Sequence, residues 1–121
     1  MPQILGETEM STNINDPSTL NGVLQQAELV QYQTGSVVSR ILIKNPGGNV
    51  TAFAFDQGES LSEHTVPFDA LALIIEGEVE ISISIIAHRV YAGQMLLLPA
   101  NQPHSVKAIT KFKMILIMLK A

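Results

Sequence analysis

The sequence predicts an all-β fold, a small barrel or sandwich of antiparallel strands, on three observations. Short runs rich in β-branched and aromatic residues recur along most of the chain. Turn-forming residues interrupt them at roughly regular spacing. Several runs alternate apolar and polar residues, the period of two that gives a strand one dry face and one wet face. The length, 121 residues, fits one domain, and 46% apolar residues can fill its core.

Residues 1–20 are polar and read as a flexible arm, leaving residues 21–121 for the barrel. In "LNGVLQQAELV" the residues Leu20, Val23, Leu24 and Ala27 fall at helical spacing, which predicts a short helical turn that Gly22 weakens. "GSVVSRILIKN" reads as a strand ended by the turn at Pro46, Gly47 and Gly48. "NVTAFAFD" follows with Thr51, Phe53 and Phe55 on one face. "DALALIIEGEVEISISII" gives two strands broken at Gly77, the second with Val79, Ile81 and Ile83 on its dry face. "RVYAGQMLLLPANQPHSVKAI" supplies two more, and "KFKMILIMLK" closes the chain.

Charge and composition exclude several functions. The net charge is −4, and no basic face is available for phosphates, which argues against nucleic acid. Seven acids between Asp56 and Glu80 have no Lys or Arg among them, while four of the seven basic residues lie from Lys107 onward. Cross-strand pairing between these regions is the expected use of both. There is no cysteine, so disulfides, thiolate metal sites and cysteine nucleophiles are out. The N-terminal segment lacks the features of a signal peptide, and the apolar runs are too short to cross a bilayer as helices. The cytoplasm is the expected location. No hydrolase elbow, P-loop or dinucleotide fingerprint occurs.

Two segments carry a more specific pattern. In the second, Gly93 is followed after five residues by Pro99, then Asn101, then His104. In the first, Gly58 is followed after five residues by His64, and Gly77 stands thirteen positions further on. Together they resemble the paired motifs of the cupin superfamily, G-x5-H-x-H-x3,4-E-x6-G and G-x5-P-x-G-x2-H-x3-N. The resemblance implies a double-stranded β-helix, a jelly-roll-like barrel, over roughly residues 30–120. Asn101 fills a glycine slot, and Asn tolerates the left-handed backbone needed there. Ala108 replaces the final Asn. Val66 stands in the second histidine slot and Ala70 in the glutamate slot, so two of the four usual metal ligands are missing.

The resemblance makes His64 and His104 the candidate metal ligands. Imidazole suits Zn, Ni, Fe and Mn, and two histidines with one carboxylate suit non-haem iron. A third ligand could come from Asp69, which lies beyond Pro67, or from Glu63. In a regular strand Glu63 points away from His64 unless a bulge intervenes. Phe68, Met95 and Met114 are the expected pocket residues, although core filling is the safer reading for the methionines. His88 lies outside both motifs and is expected at a surface or interface. Ile85 and Ile86 stand where a tight hairpin turn would disfavour Ile, which suggests a wider turn or a dimer contact. Small cupins are commonly homodimers, as the resemblance implies. The leading expectation is a cupin of unknown activity that binds a divalent transition metal weakly through His64 and His104 and a small organic ligand in the barrel. Two functions stay open. One is a metal-dependent enzyme acting on a small organic substrate, such as a dioxygenase, decarboxylase or isomerase. The other is a metal-free barrel that binds or senses a small molecule.

Overall fold

The computed structural model describes residues 3–5 and 22–120. Its strands are β1 (Gln3–Leu5), β2 (Ser36–Asn45), β3 (Gly48–Phe55), β4 (Ser60–His64), β5 (Asp69–Glu76), β6 (Glu78–Ile83), β7 (Ile86–Tyr91), β8 (Met95–Leu98), β9 (His104–Ala108) and β10 (Phe112–Leu119). They form two facing sheets. The larger has the order β1-β2-β3-β10-β5-β8 and the smaller β4-β9-β6-β7. All pairings are antiparallel except that of β1 with β2, which is parallel.

Alternation along the strands aims one face of each sheet at a common core. Phe55, Phe112, Ile74, Val79, Ile81, Val106 and Met114 are buried there, and Phe55 stacks on Phe112 with ring centroids 4.5 Å apart. Gly77 is the corner between the sheets rather than a hairpin, since β5 and β6 belong to different sheets. Its φ is +84°, and a Cβ there would lie 2.0 Å from the carbonyl oxygen of Lys111. Only glycine meets both demands.

The hairpin between β6 and β7 is tighter than its sequence suggests. Ile83 pairs with Ile86, so the loop is Ser84 and Ile85 alone. Ser84 takes the positive φ, 55°, and spares the β-branched Ile85, which is left 98% exposed.

A smaller second core lies on the outer face of the larger sheet. Leu29 and Val30 cover Val38, Ala52 and Ala54, with Tyr32, Leu42 and Ile115 beside them. The side chain of Lys113 clamps this cover. Its Nζ donates to the Ala27 carbonyl at 2.5 Å, lies 3.9 Å from Glu76 Oε1 and sits 4.8 Å from the Tyr32 ring centroid. Tyr32 Oη donates to Glu76 Oε2 at 2.8 Å. Burial first, then this hydrogen bond, raises the Tyr32 phenol above its ordinary range.

The expected pairing of acidic and basic strands occurs at Lys113 with Glu76 and at Lys107 with Glu80. Glu78 pairs instead with Arg89. The helical turn falls later than the spacing implied, as a 3-10 turn at Gln26–Glu28, with Val23 and Leu24 exposed. Of the expected N-terminal arm, Gln3–Leu5 is strand β1, and the remainder lies outside the described residues. No helix among the described residues is long and apolar enough to cross a membrane.

Candidate histidine site at the barrel mouth

His64 ends β4 and His104 begins β9, neighbouring strands of the smaller sheet. Their register holds a one-residue irregularity. Leu61 faces Val106, and the next pairing is His64 with His104, so β4 spends three steps where β9 spends two. This bulge decides which side chain meets His104. Leu61 packs against the core. In a regular strand the residue two beyond it, Glu63, would share its face, and His64 would turn outward. The extra residue rotates His64 inward instead.

The two imidazoles meet edge to face, with centroids 4.4 Å apart and ring planes at 67°. His64 is exposed, and its Nδ1 lies 3.0 Å from the Ser62 carbonyl oxygen. A carbonyl only accepts, so Nδ1 carries the proton and Nε2 is bare. His104 is 8% exposed, and its Nδ1 is buried with no hydrogen bond of good geometry, the Gln102 backbone being close enough only to oppose part of its pKa shift. Burial first, and proximity to His64 second, hold the His104 imidazole below its ordinary pKa. Ile83 stands opposite His104 on the other side, in the ladder with β6.

The stretch after His64 is tied to the loop before His104. Asn101 has φ 65°, the left-handed backbone expected of its slot, and its N–H donates to the Val66 carbonyl at 2.8 Å. Ala100 N–H donates to Asp69 Oδ1, also at 2.8 Å. The Asp69 carboxylate thus braces a loop.

The other expected site residues divide. Glu63 is exposed on the bulge, Val66 is half-buried, and Ala70 faces the core. Phe68 is half-buried in the connection to β5, and Met114 is buried in the barrel core. Met95 does not line the barrel. It is 61% exposed, on the face of β8 opposite to the inward Leu96 and Leu98. The register starts Met95 on the outer parity, which an unbroken apolar run such as "MLLL" conceals. His88 is half-buried, opposite Ile81 on β6. The Ser62 carbonyl and Ile83 are contributors that the motif frame did not single out. The bulge had a signal: Leu61 and His64 cannot both face inward in a regular strand.

Whether these residues suit a resident metal ion can be tested on the donors. Among the described residues no three of His, Cys, Asp or Glu group so as to hold one ion. Metal-binding imidazoles usually donate their second nitrogen to a carbonyl or carboxylate. His64 does so, whereas His104 has only a marginal contact with the Gln102 backbone. The donor set therefore does not fit an ion held by three or four protein ligands.

No protein-family model matches the chain, and no curated protein matches it. Solved structures do. A conserved protein of unknown function from Streptococcus pyogenes is 32% identical over 84% of this chain and 89% of its own, with a TM-score of 0.80. A cupin superfamily protein from Desulfitobacterium hafniense is 29% identical over 84% of this chain and 93% of its own, also at 0.80. A Cupin 2 conserved barrel domain protein from Leptotrichia buccalis is 40% identical over 78% of this chain, with a TM-score of 0.75, and the match spans 46% of that protein. With the motif frame, the two-sheet barrel and these likenesses on one chain, it belongs to the cupin superfamily as a small member.

Proposed function

We propose that this cupin binds a small organic molecule at the mouth of its barrel, with the His64 and His104 pair orienting a polar group of the ligand. The observation that carries this reading is the edge-to-face pair of His64 and His104, in which the buried Nδ1 of His104 has no hydrogen bond of good geometry. A buried polar nitrogen left unpaired costs about 1–3 kcal/mol, which a ligand hydrogen bond would offset. Neutral imidazole can donate from one nitrogen and accept at the other, so carboxylate, carbonyl and hydroxyl groups all suit the pair. Leu61 and Ile83, the ladder neighbours of this site, are partly buried and offer apolar contact to the rest of such a molecule.

A second reading has one observation in its favour. The His64 Nδ1 contact with Ser62 leaves Nε2 bare, as in imidazoles that hold metals. Under it, His64 and His104 bind a divalent transition metal (Zn, Ni, Fe or Mn) weakly, completed by water. Loss of the second histidine and the glutamate to Val66 and Ala70 makes such an ion readily exchangeable and counts against a metal-dependent enzyme.

Chelator-treated protein titrated with acetate and benzoate, and separately with Zn2+, distinguishes the two by imidazole NMR signals. Saturable shifts with a carboxylate, lost in the His64→Ala/His104→Ala protein, are expected. One equivalent of Zn2+ bound with no carboxylate response would replace the first reading by the second. No histidine-dependent response to any probe would sink both.

A further inference from the structure

His88 faces the inside of the barrel. It pairs with Ile81 on β6, which pairs in turn with Val106 on β9, and both of those side chains are buried in the core. Residues directly opposite in a ladder project to the same face. The next residue, Arg89, points outward and binds Glu78 and Glu80. Lys107 shares that outward parity. Along β6, β7 and β9 the inward positions are apolar at all but two places, His88 and His104.

The two histidines stand beside open space. Near Gly77 the barrel is filled, with Phe55, Phe112 and Val79 all 0% exposed. Toward the mouth, Leu116 also points inward but is only half-buried. Its strand β10 is flanked by β3 and β5, so the accessible surface of Leu116 lies inside the barrel. Ile83, on β6 between β9 and β7, is half-buried in the same way. His88 itself is half-buried, and its ring makes no hydrogen bond or ion pair with the described residues. An imidazole on an apolar inner face keeps a donor for whatever fills that space.

We propose that His88 binds the far end of the ligand held by His64 and His104, and that this ligand is a linear dicarboxylate of five or six carbons. The role of His88 rests on the reading of the mouth as a small-molecule site. β7 lies two strands from β9, and His88 stands two residues deeper than His104, which puts their Cα atoms about 12 Å apart. Strand side chains stand roughly perpendicular to the sheet, so the rings keep about that separation. A hydrogen bond of about 2.9 Å at each end leaves about 6 Å between the two acceptors, the span of such a chain. Its methylenes lie over Ile81 and Ile83, between the two histidines. Neutral imidazole donates one N–H and a carboxylate accepts it, so both ends are matched.

Imidazole NMR on the chelator-treated full chain tests this, with hexanoate and adipate as probes. The chain has three histidines, so each signal reports on one residue. Hexanoate is expected to shift His104 with little effect on His88. Adipate should shift both along one saturation curve and bind about tenfold tighter, as an added hydrogen bond to a charged group implies. His88→Leu keeps the bulk and removes the donor. It should abolish the advantage of adipate while hexanoate affinity stays within about threefold. His88→Gln restores a donor and should recover part of that advantage. An unmoved His88 signal in the adipate titration would overturn the role of His88 and leave the histidine-pair reading standing. So would an adipate advantage that survives in His88→Leu. No shift of His104 with either acid would remove that reading, and the role of His88 with it. The wild-type signals decide the matter even where a variant does not fold.

Discussion

Asp69 Oδ1 accepts the backbone N–H of Ala100 at 2.8 Å, and so the carboxylate five residues after His64 serves a loop. Together with the Asn101 to Val66 bond it holds residues 66–69 against residues 100–101. Asp69→Ala is expected to lower stability by about 1 kcal/mol, below the usual range for a hydrogen bond to a charged group because the site is exposed. Asp69→Asn keeps an acceptor and should lose less. Zn2+ affinity should change little in either. Urea unfolding and a metal titration check this, and a large loss of affinity would make Asp69 a ligand after all.

The depressed pKa of His104 sets a pH dependence. In the folded chain it binds its proton at lower pH than the ordinary value of about 6.5, owing first to burial and then to His64. Between those values the unfolded chain holds more protons, so stability rises with pH. The contribution is complete above about pH 6.5 and is lost as pH falls through the folded-state value. Asp56 is also depressed, by the N–H groups of Gly35 and Gln57, but its unfolded value is 3.8, well below this window. Urea midpoints should therefore fall between pH 7.5 and 5.5, and fall less steeply in His104→Gln. An equal slope in the variant would assign the effect elsewhere.

Two glycines with similar backbones predict unequal costs. Gly77 has φ +84° and Gly93 has φ +88°. Gly93→Ala meets no atom within 4 Å and should cost only the left-handed strain, about 1–2 kcal/mol. Gly77→Ala adds a Cβ 2.0 Å from the Lys111 carbonyl oxygen and 2.7 Å from Phe112 Cα, both backbone. The sheets must part to admit it, and a loss of roughly 3 kcal/mol or more is expected. Equal midpoints for the two variants would refute the corner role of Gly77.

Lys113 holds the cover over the outer core. Lys113→Met removes its bond to the Ala27 carbonyl and leaves Glu76 with Tyr32 alone. Hydrogen exchange should accelerate about tenfold in residues 26–32, a local opening cheaper by about 1.4 kcal/mol, with the barrel strands unchanged. Uniform acceleration would place Lys113 in the global core instead.

Most strands were legible from residue pattern alone, the exceptions being β1, which falls in the expected arm, and β4. The alternation of Val79, Ile81 and Ile83, or of Phe53 and Phe55, follows from a period of two against one dry face, and all five point inward as expected. The frame of Gly58, His64, Gly77, Gly93, Pro99, Asn101 and His104 was likewise readable, because each turn needs a particular backbone in one place. Met95 misled because four apolar residues in succession carry no parity. Asp69 misled because proximity along the chain says nothing of which backbone N–H will claim a carboxylate.

What the sequence by itself determined is the family, most of the strand positions and the candidacy of one histidine from each motif. Only the tertiary structure decided that His64 faces His104. That orientation depends on a single extra residue in β4 relative to β9, and a register shift is a property of two strands together.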